Sequence, residues 1–369
     1  MRVLSQLLCL LLVLPALAGC AKAPAASAGA EVEPSAEPRV VYTSSGSIGL
    51  ASVRPNDRGR HVLIAERAQS GGKVQLRWLD LVSGNADTPI SAPAGPGWVG
   101  GLDVSATGAV AVVDVRDGAG VEQSAVWALA PNGSWHQATD YDGKMRLIPR
   151  WSPDSRYLTY YRYRYGGDRL ESAERIVATV PLEGGRAVET VILPNASPSD
   201  SAVWSADSRS LYCIRARGDE PWRLERIEWP GLASRTVLEA DGIFFLKVAE
   251  DAGDIIVGTA SLTDVQQHEQ APMTVWRIQP GSAVMRTNLR LQRTPSAAKV
   301  SPDGRLLAMI PYNERGLVIG DLQSGTKRSL LATDDLSPSI LDWALQGKGL
   351  LVEPTEEDSH LWVVPVPTQ

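Results

Sequence analysis

From Arg39 onward the chain is built of short apolar runs, such as Leu211-Tyr212-Cys213-Ile214 and Leu361 to Val366, separated by Gly, Pro, Asp and Asn. Val and Ile are frequent and no helical period is sustained, so the runs predict β-strands joined by tight turns. The first 38 residues read differently. An apolar run from Val3 to Leu14 follows Met1-Arg2 and is too short to span a bilayer. Ala21 to Pro38 is rich in Ala, Pro, Ser and Glu and nearly free of large apolar residues. Such a stretch cannot bury enough surface to fold and is expected to be a disordered tether. As a coil its 18 residues would span roughly 25 Å.

The turns repeat. Ile148 to Tyr161 contains Trp151-Ser152-Pro153-Asp154-Ser155-Arg156 followed by an apolar run. Trp204-Ser205-Ala206-Asp207-Ser208-Arg209 and Val300-Ser301-Pro302-Asp303-Gly304-Arg305 have the same form. Weaker copies begin at Val53, Val104, Val248 and Trp343. Anchored on the serine, the units fall at 54, 105, 152, 205, 249, 301 and 344, spaced 43 to 53 residues apart. That spacing accommodates one four-stranded sheet per repeat. Ser and Asp side chains bond nearby backbone amides, Pro fixes φ at the turn's second position, and Gly supplies a positive φ. The residue before the serine ends one strand, and the run after the turn is the next.

These units resemble the TolB-like, WD40-like (PD40) β-propeller repeat, whose core reads Trp-Ser-Pro-Asp-Gly with an apolar strand after it. The resemblance covers nearly all of Arg39 to Gln369. It implies an all-β, seven-bladed propeller. Two units carry Ser155 and Ser208 where the family prefers Gly, which leaves their turn type open. A propeller must close, since an open sheet edge invites pairing with other chains. The last unit supplies three strand-like runs, Ile340 to Leu345, Leu350 to Glu353 and Leu361 to Val366. Arg39-Val40-Val41-Tyr42-Thr43 is expected to complete that blade from outside.

The residues around Cys20 set the address. Leu17-Ala18-Gly19-Cys20, after a short basic start and an apolar run, resembles the bacterial lipobox. The resemblance implies cleavage before Cys20 and diacylglyceryl attachment to its sulfur, giving a signal peptide 1–19, a lipidated tether 20–38 and a propeller 39–369. Ala21 in place of Asp implies outer-membrane sorting in a two-membrane bacterium, and the cell surface in a one-membrane host. The net charge is −6. Removing the leader's single Arg2 gives −6 − 1 = −7 for the mature chain. That argues against a non-specific nucleic-acid binder and against adhesion to an anionic leaflet. Of three cysteines, Cys9 leaves with the leader and Cys20 takes the lipid. Cys213 is then alone and suits a buried position.

No catalytic signature emerges. The four histidines, His61, His136, His268 and His360, lack zinc-ligand spacing. His268 beside Gln266 and Gln267 is the only local hint of a metal site. Gly-x-Ser-x-Gly and a phosphate-cradling Gly-rich loop are absent. The carboxylate runs Asp334-Asp335 and Glu356-Glu357-Asp358 read as solvated loop charges. The expectation is therefore a non-enzyme without a cofactor or metal.

Binding has more support. Loops between second and third strands lie on the face opposite the repeat turns, and three of them concentrate Arg, Tyr and Trp, the residue types enriched in interface hot spots. They hold Arg162, Tyr163, Arg164 and Tyr165; then Arg215, Arg217 and Trp222; then Tyr312 and Arg315. The same residues would serve equally as polar strand ends with aromatic cross-strand pairs and local ion pairs to Asp219 and Glu220. Trp151, Trp204 and Trp343 occupy repeat positions, and Trp78, Trp127, Trp276 and Trp362 recur on third strands. Trp98 and Trp222 are expected at the surface. The sequence thus predicts a monomeric envelope lipoprotein, held in the bilayer through acylated Cys20, that scaffolds a protein partner. Two alternatives stand beside it. One is a glycan or small-ligand binder, or a lyase, using the central channel mouth. The other is a sensor or inhibitory subunit of a partner enzyme.

Overall fold

The computed structural model describes residues 37–44, 46–53, 57, 59–68, 74–91, 98–118, 121–166, 169–194, 202–216, 220–267, 271–279, 281, 284–311, 316–331, 339–353 and 360–367. The expected leader (1–19), Cys20 and all of the expected tether except Glu37 and Pro38 lie outside them. No helix among the described residues is long and apolar enough to cross a membrane.

Seven antiparallel four-stranded sheets stand around an axis as a seven-bladed β-propeller. After β1 (Arg39–Thr43), blade 1 holds β2 (Gly46–Val53), β3 (His61–Ala68), β4 (Val74–Asp80) and β5 (Ile90–Ser91). Blade 2 holds β6 (Trp98–Val104), β7 (Val110–Gly118), β8 (Val121–Leu129) and β9 (Trp135–Gln137). Blade 3 holds β10 (Met145–Trp151), β11 (Tyr157–Gly166), β12 (Arg169–Thr179) and β13 (Val188–Pro194). Blade 4 holds β14 (Ala202–Trp204), β15 (Ser210–Arg215), β16 (Trp222–Glu228) and β17 (Ser234–Ala240). Blade 5 holds β18 (Gly242–Val248), β19 (Ile255–Ala260), β20 (Met273–Ile278) and β21 (Val284–Leu291), with the short helix α1 (Leu262–Gln267) between its second and third strands. Blade 6 holds β22 (Pro295–Val300), β23 (Leu306–Pro311), β24 (Leu317–Asp321) and β25 (Lys327–Leu331). Blade 7 holds β26 (Ser339–Ala344), β27 (Gly349–Glu353) and β28 (His360–Pro365), and β1 pairs with β28 as its outermost strand. The expected closure by the N-terminal strand is therefore present.

Each blade packs face to face on the next, so second strands are buried on both faces and rim strands are not. The contrast is visible in β19, buried throughout, and β17, mostly exposed or half-buried. This is why the second strands read as unbroken apolar runs rather than as alternation. The core is a ring of inter-blade layers that closes on itself. Val41, Ile64, Leu79, Leu351 and Leu361 fill the seam between blades 7 and 1. Cys213 is a buried thiol in the layer shared by blades 2 to 4.

The repeat turns all join first to second strands, on one face of the disc. In blade 3 the Ser152 hydroxyl donates to Asp154 at 2.6 Å and accepts from the Tyr157 amide at 2.9 Å. Blade 4 repeats this with Ser205, Asp207 and Ser210, and blade 6 with Ser301, Asp303 and Leu306. The left-handed position is Gly304 (φ 72°) in blade 6, where an added Cβ would come 3.1 Å from Ala249 of blade 5. In blades 3 and 4 it is Ser155 (φ 61°) and Ser208 (φ 58°). The turn type is therefore kept, and the serines add a bond that glycine lacks. Ser155 Oγ accepts the Thr107 amide of blade 2 at 3.2 Å, and Ser208 Oγ accepts the Asp154 amide of blade 3 at 3.0 Å. Each serine links its blade to the preceding one. Ser208→Ala keeps the unfavourable φ and loses the bond, so a loss of about 1–2 kcal/mol is expected in urea unfolding. Ser208→Gly relieves the φ and is expected to fall within about 0.5 kcal/mol of wild type. Equal losses for the two variants would show that the hydroxyl bond alone matters.

Candidate functional site

The face opposite the repeat turns carries the hairpins between second and third strands. The β11–β12 hairpin is the longest, with strands of 10 and 11 residues against 6 and 7 in β15 and β16. Both β11 and β15 begin five residues after their repeat serine, so the extra length lies at the far end. Four residues at about 3.3 Å each lift the blade 3 hairpin roughly 13 Å above that of blade 4, while the β7–β8 hairpin of blade 2, with 9 residues in each strand, reaches nearly as far. Pairing runs unbroken in outline from Tyr157↔Thr179 to Gly166↔Arg169, with one bulge at Arg164/Tyr165. A segment read from sequence as a loop is thus a projecting β-ribbon.

This corrects the placement of two candidates. Arg162 is 9% exposed and Tyr163 is 8% exposed. Arg162 Nε donates to Glu174 at 2.9 Å, its Nη1 pairs with Glu189, and Tyr163 packs in the core with its ring 5.4 Å from that of Tyr161. Neither is presented to a partner. Arg164, one residue further, is exposed. Tyr165 and Arg169 follow at the last pairs before the tip, and the tip itself, 167–168, lies outside the described residues.

The base of the ribbon is held by a buried ionic cluster that the sequence did not reveal. Arg146 is 2% exposed. Its guanidinium reaches Asp142 Oδ1 at 2.9 Å, Glu189 Oε1 at 3.3 Å and the Ser124 carbonyl at 2.9 Å. Burial opposes its charge, but Asp142 and Glu189 outweigh burial and raise its pKa. Glu189 also accepts the Tyr160 hydroxyl and the Arg162 guanidinium. Burial, then Glu189, pushes the Tyr160 phenol far above its ordinary range. One carboxylate therefore gathers three side chains from two strands of the blade.

In blade 4, Arg215 pairs with Glu225 at 3.1 Å and is half-buried. Trp222 opens β16 rather than lying in a loop, and its ring stacks on Phe244 at 6.3 Å. It too is half-buried, which corrects its expected surface position. Arg217, Tyr312 and Arg315 lie outside the described residues, as does His268; the side chain of Trp98 is likewise not described. The candidates brought to one place are thus those of the blade 3 ribbon. Among the described residues, no group of three His, Cys, Asp or Glu is positioned to hold a metal ion.

No family model matches the chain, and no curated protein matches it. Solved structures match its fold. The Cps50 (Swd1) β-propeller domain of Myceliophteria thermophila superposes with a TM-score of 0.62 at 12% identity, covering 88% of this chain and 98% of that one. An oligogalacturonate lyase in complex with manganese gives 0.61 at 14% identity, covering 86% and 88%. TolB of Acinetobacter baumannii gives 0.45 at 14% identity, covering 85% and 82%. At such identities the likeness is one of fold. The similar structures include enzymes and proteins that are not, and the fold does not choose between them.

Proposed function

We propose that this is a lipid-anchored protein of the bacterial cell envelope whose propeller serves as a non-enzymatic scaffold for a protein partner. The observation that supports the reading is the β11–β12 ribbon, the longest hairpin among the described residues, on a base fixed by Arg146, Glu189 and Arg162. A rigid base that carries Arg164 at an exposed position presents recognition groups at little ordering cost. Arg164, Tyr165 and Arg169 suit a partner surface bearing carboxylates and apolar patches. The anchor rests on the lipobox-like Leu17-Ala18-Gly19-Cys20, and the tether would hold the disc close to the bilayer.

Crosslinking of the full-length protein in intact cells tests this. Wild type is expected to capture a discrete protein, and the double variant Arg164→Ser/Tyr165→Ser to lose it while melting unchanged. Replacing Arg162 and Tyr163 as well would damage the core and blur the result. Capture that survives the double variant would remove the ribbon from the interface. In the same cells Cys20→Ala is expected to give a soluble exported protein or an uncleaved precursor. A cleaved Cys20→Ala product still bound to membrane would overturn the anchor.

A further inference from the structure

The repeat anchors define a second set of positions, two residues earlier, near the end of each innermost strand. In blades 1 to 7 these hold Ser52, Asp103, Arg150, Val203, Lys247, Lys299 and Asp342. The charges are sorted. Asp342, Ser52 and Asp103 occupy the consecutive blades 7, 1 and 2. Arg150, Lys247 and Lys299 occupy blades 3, 5 and 6, with Val203 between the first two. One arc of the channel is acidic and the facing arc is basic.

The side chains converge. Arg150 Nη1 lies 3.5 Å from Asp103 Oδ1 at one junction of the arcs, and Lys299 Nζ lies 3.9 Å from Asp342 Oδ1 at the other. Ser52 Oγ donates to Asp103 at 3.5 Å. Interactions also cross the axis. Burial pushes the Asp103 carboxyl up to about 6, opposed by Arg150 and by the Trp151 amide, which donates to its Oδ2 at 2.7 Å; Asp342 of the same arc raises it and Lys299 opposite lowers it. Burial brings the Lys247 ammonium down to about 7, helped by Lys299 and Arg150 and opposed by Asp342. Glu250, on the turn after β18, is exposed, and partial desolvation beside the ring, with Asp342 and Asp103, raises its carboxyl.

Three features set this ring apart from a structural ion cluster. Lys247 has no carboxylate within ion-pair distance and no side-chain hydrogen bond among the described residues, although it sits at the centre of the basic arc. The two junction pairs are long, where Arg60 and Asp80 on the same protein meet at 2.7 Å. The ring is also open to water, with the Arg150 side chain 48% and the Asp342 side chain 35% exposed. Like charges gathered in a narrow channel repel one another, and a guest with the opposite charges relieves both arcs at once.

We propose that this mouth of the central channel binds a small zwitterion bearing one ammonium and one carboxylate, such as an amino acid or a longer amino carboxylate. The carboxylate is held by Lys247 with Arg150 and Lys299, and the ammonium by Asp342 and Asp103 beside the Ser52 hydroxyl. Val203 gives the apolar part of the ligand a wall. The site lies on the turn face, opposite the β11–β12 ribbon, and stands whether or not the ribbon binds a protein.

Calorimetric titration of the full-length detergent-solubilised protein tests it, with glycine, β-alanine, 4-aminobutyrate and 6-aminohexanoate as probes. Butyrate and butylamine are the single-charge controls. At least one amino carboxylate is expected to bind while neither control does at the same concentration. Lys247→Met and Asp342→Asn are each expected to weaken that binding about tenfold or more. Lys247→Arg, which keeps the charge, should retain most of it and guards against a Lys247→Met variant that fails to fold. Absence of binding by all four amino carboxylates would overturn the proposal. Equal binding of butyrate would reduce it to an anion site and overturn the role of the acidic arc. Unchanged affinity in folded Lys247→Met or Asp342→Asn would overturn the placement.

Discussion

Deleting residues 39–44 is expected to destabilise the entire propeller, not only blade 7. Val41 is buried in the seam between blades 7 and 1, and burial of such a side chain contributes about 2 kcal/mol. The Arg39 guanidinium donates to the Leu81 carbonyl at 2.6 Å and the Tyr42 hydroxyl to Glu66 at 2.7 Å, both in blade 1. At about 1 kcal/mol each these bring the loss to roughly 4 kcal/mol before any backbone bond to β28 is counted. The deletion also uncovers the β28 edge, so aggregation on heating should accompany the lower midpoint. Val41→Asp, which keeps the strand but places a carboxylate in the seam, is expected to lose a comparable amount. A deletion variant that melts with wild type would show that the other six blade seams hold the ring without closure.

Arg146→Met is expected to cost about 3–5 kcal/mol, because it leaves carboxylates and backbone carbonyls of a buried cluster without their shared donor. Asp142 keeps Lys144 at 3.3 Å and Glu189 keeps Arg162, so the cluster is weakened rather than emptied. The damage should concentrate at the root of the β11–β12 ribbon, where Glu189 joins Arg146, Tyr160 and Arg162. Limited proteolysis is therefore expected to cut the variant between Gly166 and Arg169 sooner than wild type. A loss of less than about 1 kcal/mol in urea unfolding would mean that the Asp142 and Glu189 carboxylates are satisfied without Arg146.

The architecture was legible because turn chemistry is local. Ser152, Asp154 and the residue at the left-handed position interact within five residues, so three strong units located the rest by spacing. Closure was legible by subtraction: blade 7 had three apolar runs and β1 had no blade of its own. The ribbon was not legible as a ribbon, since hairpin length differs between blades, with second strands of 10 residues in blade 3 and 6 in blade 4. Its signal was present all the same. In Tyr161-Arg162-Tyr163-Arg164 the tyrosines and arginines alternate with the period of a strand. What no local reading supplies is the partner of each arginine. Arg162 meets Glu174 and Glu189, 12 and 27 residues away, and burial follows from that pairing. The charged ring of the channel lies in strict register with the repeat, so aligning the units on their serines exposes it. Its sorting into two arcs acquires meaning only when the sheets are arranged around an axis.

The direction of β1 has a mechanical consequence. Arg39 pairs with Val363 and Thr43 with His360, so the chain enters β1 at the repeat-turn face and runs toward the ribbon face. A tether fixed to a bilayer at Cys20 would pull from that turn face, roughly along the strand. The load would then fall on the β1–β28 hydrogen bonds in shear, all sharing it together, instead of unzipping them singly. The strand that closes the ring would also be its fastening, and the β11–β12 ribbon would point away from a bilayer anchored in this way.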